Sequence, residues 1–149
     1  MPVFEQGHFD GVENRGWVIG HFAPGARRTK LVEVKWAHER KGPKGEWRNC
    51  TSATTLSVLI SGRFKIEFEG APFRSVKLKR RGDYVIFGPG IRHRSTALKK
   101  TMFLTIRWPS VKGDCRAVGE KAAKRGTAAR KKPKKRKAVA SPDQRRHRA

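Results

Sequence analysis

The chain has 149 residues, with 36 Lys and Arg against 12 Asp and Glu, for a formal net charge of +24. That length suits one domain with a proper core rather than two. No apolar run approaches the roughly 18 residues that a membrane helix needs. The start, Met1-Pro2-Val3-Phe4-Glu5, has neither a basic head nor an apolar stretch. A secretion signal is therefore not expected, and the expected location is cytoplasmic.

Taken in chain order, residues 1–112 read as short strands rich in Val, Ile, Phe, Leu and Trp, separated by Gly- and Pro-bearing turns. Trp17–Phe22 is the first, ending at Ala23-Pro24-Gly25. Leu31–His38 alternates, with Val32, Val34, Trp36 and His38 on one face, expected to look inward, and Glu33 and Lys35 on the other. Thr54–Ile60 gathers Leu56, Val58 and Ile60. After Ser61-Gly62, Arg63–Phe68 sets Phe64, Ile66 and Phe68 against Arg63, Lys65 and Glu67. Phe73–Leu78, Asp83–Phe87, Ile91–Ala97 and Thr101–Trp108 follow, the last with Met102, Leu104, Ile106 and Trp108 on one face. No segment keeps a 3.6-residue period over 11 or more positions. Strands this short and this evenly spaced define an all-β fold, a sandwich, jelly roll or barrel.

Residues 113–149 are a different object. They hold 14 Lys and Arg against 3 Asp and Glu, whereas residues 1–112 hold 22 against 9. The segment has no aromatic residue, and Arg130, Lys131, Lys132, Lys134, Lys135, Arg136 and Lys137 form one basic block around Pro133. Such a stretch buries too little apolar surface to offset chain entropy, so it is expected to be a disordered tail. The division is thus a β-barrel domain at 1–112 and a basic tail at 113–149. The basic block would meet nucleic acid through non-specific counterion release. Without aromatic residues it has nothing to stack on bases.

Gly82-Asp83-Tyr84-Val85-Ile86-Phe87-Gly88-Pro89-Gly90-Ile91-Arg92-His93 resembles the second motif of the cupin superfamily: Gly, five residues, Pro, one residue, Gly, two residues, His. Gly82, Gly90 and His93 fall in register, while Gly88 takes the usual proline position. The resemblance covers roughly residues 30–108 and implies a small single-domain cupin jelly roll. The first motif matches only at its end, Ile60-Ser61-Gly62-Arg63-Phe64. Counting back from Gly62, the family's glutamate position holds Thr55. Its paired histidines fall on Arg48 and Cys50, or on Asn49 and Thr51 if the spacing is one shorter. Of the family's metal ligands only His93 remains, so the reading is a degenerate metal site with no metal and no other cofactor. A site of Cys50, His38 and His93 is the alternative ligand set.

The resemblance further implies a ligand pocket in the barrel and a homodimer. His93 is the candidate acid or base, with His38, Trp36, Thr55 and Cys50 as candidate ligand-binding residues. A small polar or anionic molecule is the expected partner, and isomerisation, epimerisation or dehydration the reaction class if the site is catalytic. Whether the chain is an enzyme stays open at this point. The alternative is a nucleic-acid-associated accessory protein in which the tail makes the contact and the barrel serves as a structural or dimerising module. Glu46, next to Trp47, is a further carboxylate near the motif region. Cys50 and Cys115 lack any Cys-x-x-Cys spacing, so both are expected as reduced structural thiols rather than a disulfide or zinc ribbon. No nucleophile elbow or phosphate-cradling loop is present.

Overall fold

The computed structural model describes residues 4–70 and 74–119. Among these residues, ten strands form two antiparallel five-stranded sheets that face each other. In chain order they are β1 (Trp17–Ile19), β2 (Glu33–Glu39), β3 (Arg48–Cys50), β4 (Thr54–Ser61), β5 (Phe64–Phe68), β6 (Ser75–Leu78), β7 (Tyr84–Phe87), β8 (His93–Ala97), β9 (Thr101–Trp108) and β10 (Cys115–Ala117). One sheet runs β1-β2-β9-β4-β7 and the other β10-β3-β8-β5-β6. Every long strand expected from alternation is present. The all-β jelly-roll expectation holds.

Register stacks the interior side chains in three layers. Ala37 lies opposite Phe103 and Phe103 opposite Leu59, while Phe64 lies opposite both Ala97 and Leu78 across the second sheet. These residues form the packed end, where Leu59 is fully buried and the Phe64 and Phe103 rings stack at 4.3 Å between centroids. Apolar burial of this kind is the main stabilising term. The next layer is mixed: Lys35 opposite Thr105, Thr105 opposite Ser57, and Ser95 opposite Ile66. The third is mostly polar: Glu33 opposite Arg107, Arg107 opposite Thr55, Thr55 opposite Phe87, and His93 opposite both Arg48 and Phe68. The barrel is therefore closed by hydrocarbon at one end and lined by charge at the other.

This layering inverts the facing expected for β2, and on β4 and β9 it turns the apolar set outward. On β2 the inward residues are Glu33, Lys35 and Ala37, whereas Val34, Trp36 and His38 lie outside, His38 exposed. On β4 the buried set is Thr55, Ser57 and Leu59, and on β9 it is Thr101, Phe103 and Thr105. Leu56, Val58, Met102, Leu104 and Ile106 line the outer face, half-buried against each other. Here the inward wall of the first sheet is largely polar and its outer face apolar, so hydrophobic-in alternation points the wrong way. On β5 the ordinary rule holds, with Phe64 and Ile66 inside.

Two short strands lay outside the sequence expectations, β3 and β10. They pair in the register Cys115↔Cys50, Arg116↔Asn49, Ala117↔Arg48, and Cys50 and Cys115 form a disulfide. The expectation of two reduced thiols is corrected: the chain return that joins them is a tertiary feature, 65 residues apart in sequence. Residues 113–119 thus belong to the barrel rather than to the tail. Asp114 fixes this return, accepting from Thr51 Oγ1 (2.6 Å) and from the backbone N–H groups of Ser52 (2.8 Å) and Ala53 (3.0 Å). These donors more than offset its burial and hold its carboxyl below the usual range. The block Arg130–Lys137 lies outside the described residues. Among the described residues, no helix is long and apolar enough to cross a membrane.

Candidate functional site

The second-motif turn is built as its residues require. Gly82 has φ +87°, a left-handed conformation that glycine adopts without a Cβ penalty. Asp83 then accepts from the backbone N–H groups of Lys79 and Arg80 at 2.9 Å each, which pulls its carboxyl below the ordinary value. Gly90, at φ +80°, donates its N–H to the carbonyl of Cys50 at 2.7 Å, tying the turn to β3. That places the first residue of β8, His93, beside Arg48.

His93 is 9% exposed and packs against Phe87, with ring centroids 4.5 Å apart. Its Nδ1 lies 3.0 Å from the carbonyl of Ile91. A carbonyl oxygen only accepts, so Nδ1 carries the proton and Nε2 keeps its lone pair. Burial disfavours the imidazolium and lowers the pKa below the ordinary 6.5. The hydrogen bond to Ile91 opposes this, while Arg107 and Arg48 add to it. His93 is thus a neutral imidazole with one free basic nitrogen.

Around it lies a cavity of about 240 Å³, bounded by Lys35, Arg48, Thr55, Phe87, His93 and Arg107 among others, with Arg15, Glu39 and Glu46 also contributing. Arg107 lies 3.8 Å from Glu33, which also accepts from Ser110 Oγ at 3.1 Å, and its guanidinium stacks 4.5 Å from the Trp17 ring centre. Arg15 is exposed at φ +53°, in the short turn Glu13–Gly16. Gly16 lets that turn close, since a Cβ there would collide with the carbonyl of Trp36. Among the described residues, no carboxylate lies within ion-pair distance of Arg15, Lys35 or Arg48. Two of the buried donors that lack a hydrogen-bond partner among the described residues belong to residues lining this cavity, Thr55 Oγ1 and Arg107 Nε. They stand on directly opposed positions of β4 and β9.

Of the sequence candidates, His93 and Thr55 meet in this cavity. Trp36 and His38 do not; they stack edge-to-face at 5.9 Å on the outside of β2. Cys50 is 3% exposed and spent in the disulfide, so it offers no thiol. The correction in all three cases is one of facing and pairing. Arg48, Lys35 and Arg107 are not legible as site residues in the sequence, because a lone cation on a strand reads as a solvated face. The position count back from Gly62 lands on Arg48, and that is the signal the sequence carries. Because Arg48 faces the cavity and Asn49 the opposite side, the two-residue spacing onto Arg48 and Cys50 is the one the fold adopts.

The metal that cupin folds commonly hold does not suit this donor set. Among the described residues, the one group of three potential ligands is Cys50, Asp114 and Cys115. Its sulfurs are bonded to each other and its carboxylate is engaged by three donors. His93 belongs to no such group, and the side chains nearest in register and charge are the cations Arg48 and Arg107.

No protein-family model matches this sequence, nor does any curated protein. Solved structures do. An uncharacterised conserved protein with a double-stranded β-helix domain from Klebsiella pneumoniae is similar over 70% of this chain and 77% of its own, at 19% identity and a TM-score of 0.54. A cupin protein from Bacteroides fragilis is similar over 75% and 88%, at 16% identity and a TM-score of 0.55. The DMSP lyase DddQ from Ruegeria pomeroyi is similar over 68% and 49%, at 16% identity and a TM-score of 0.55. With the two facing sheets and the Gly82–His93 turn, these define the fold class: this chain has the cupin-type jelly-roll fold.

Proposed function

We propose that the open end of the barrel binds a small organic anion, its oxygens seated on Arg48, Arg107 and Thr55. One observation carries the reading: Thr55 Oγ1 and Arg107 Nε, on opposed positions of β4 and β9, are buried and have no hydrogen-bond partner among the described residues. A buried donor without an acceptor costs roughly 1–3 kcal/mol, and an oxyanion supplies acceptors to both. The unpaired cations around them favour negative charge in a partly desolvated space. Arg48 gives fixed positive charge where the family's first motif carries a metal ligand.

His93 completes the reading. Its free Nε2 can take a proton from a carbon or hydroxyl of the bound molecule, while the guanidinia stabilise the negative charge that develops. This is acid/base chemistry of the isomerase, epimerase or dehydratase kind. Calorimetric titration of the full chain with malonate, lactate and phosphate at low salt tests the binding step. Saturable one-to-one heat for at least one of these is expected. Heat that is absent, or that survives Arg107→Met unchanged, would remove the reading.

The outer face of the first sheet supports a second copy of this chain as partner. Its side chains, among them Val34, Trp36, Leu56, Val58, Leu104, Ile106, Tyr84 and Ile86, carry no formal charge. Tyr84 and Ile86 on the edge strand β7 are 65% and 52% exposed. For a chain of net charge +24, like copies repel across most of the surface, and an uncharged apolar face is where they can meet.

A further inference from the structure

Lys35 is the cavity residue that anion binding uses least. It sits one layer deeper than Arg107, opposite Thr105 and across from Trp17 on β1. Its Nζ lies 5.6 Å from the Phe103 ring centre and 6.0 Å from that of Trp17. A lysine on a strand face ordinarily extends to water or pairs with a carboxylate; this one is turned over two aromatic rings inside the barrel. Arg107 approaches Trp17 as well, at 4.5 Å, so two cations share one ring.

We propose that Lys35 is a covalent carbonyl-capturing residue, whose amine condenses with the keto or aldehyde carbon of a small 2-oxo acid held by its carboxylate on Arg48 and Arg107. The inference rests on the anion-binding reading above. Inward residues two apart on one strand are about 7 Å apart, and Lys35 and Arg107 occupy successive layers. Both side chains are long enough to span that gap, and both line the same cavity. A cavity of about 240 Å³ accommodates an acid of a few carbons.

The chemistry balances without a co-reactant. The nitrogen lone pair of Lys35 attacks the carbonyl carbon, the C–N bond forms and the C=O π bond opens. A proton moves from nitrogen to oxygen, giving a carbinolamine. The C–O bond then breaks, oxygen leaves as water with one further proton from solvent at the mouth, and nitrogen closes the C=N bond. The attacking species is the free amine. Burial lowers the Lys35 pKa from 10.5; Glu39 opposes this, and Arg107, Arg48 and Arg15 add to it. The site therefore holds more free amine at neutral pH than a surface lysine does.

The test is reductive trapping on the full chain. Protein is incubated with pyruvate or glyoxylate and sodium cyanoborohydride, which leaves the disulfide intact, and then analysed by intact mass and peptide mapping. The expected result is one addition per chain, of the oxo acid less one oxygen atom. It should fall on the peptide bearing Lys35, at least about tenfold above any surface lysine. Lactate, the same anion without a reactive carbonyl, should compete, and Lys35→Arg should lose the adduct while keeping pyruvate-induced thermal stabilisation. If pyruvate and lactate both raise the melting temperature but labelling spreads over exposed lysines, the capture is wrong and anion binding stands. If neither acid changes the melting temperature, both fall.

Discussion

Arg48 lies directly opposite His93 across the β3–β8 pair. A guanidinium thus stands beside the neutral imidazole at the open end of a cupin barrel, and the pairing organises most of what this protein is expected to do.

The first consequence is a pH dependence of stability. His93 is buried neutral, with its folded pKa below 6.5. Below pH 6.5 the unfolded chain binds a proton that the folded chain resists, so stability rises with pH in that range and falls on acidification. Thermal melts between pH 7 and 5 should show the decline, and His93→Gln should flatten it.

Anion binding runs the other way. A bound oxyanion near His93 favours the imidazolium, so the complex takes up a proton. Affinity should be higher at pH 6 than at pH 8, and heats measured in buffers of different ionisation enthalpy should reveal the uptake.

The disulfide makes the barrel depend on a residue beyond the last long strand. Cross-linking positions 65 apart removes loop-closure entropy worth up to about 4 kcal/mol. The double variant Cys50→Ser, Cys115→Ser should melt earlier, and a thiol reductant should lower the melting temperature of the natural chain but not of the variant.

Facing can be tested on neighbouring residues of one strand. Leu59 is fully buried, and Leu59→Ala should cost about 3 kcal/mol in denaturant unfolding. Leu56→Ala, on the outer face, should cost about 1 kcal/mol or less when both variants are compared in the Ile86→Lys chain, where the paired face is open. Equal costs would contradict the outward facing of Leu56 on β4.

For the homodimer, sedimentation should give twice the chain mass. Ile86→Lys should give the chain mass with an unchanged circular-dichroism spectrum, because the added charge meets its like at the paired face.

Strand positions were legible in the sequence because alternation and Gly/Pro turns are local. The Gly82–His93 turn was legible for the same reason. Facing was not, because alternation at Val34, Trp36 and His38 marks a face without saying which side the cavity takes. Thr55, Ser57, Lys35 and Arg107 make up the polar wall, a role that hydrophobic-in logic assigns to their neighbours. β3 and β10 span three residues each, too short for periodicity. The Cys50–Cys115 link depends on how the chain returns after β9, which no local pattern carries.

The central claim is that the barrel's open end is an anion site, and diffraction from crystals grown with malonate tests it most directly. The account predicts a carboxylate inside the cavity, accepting from Arg107 Nε and Thr55 Oγ1 and flanked by Arg48. Malonate found only on the outer surface, with the cavity holding water alone, would contradict it.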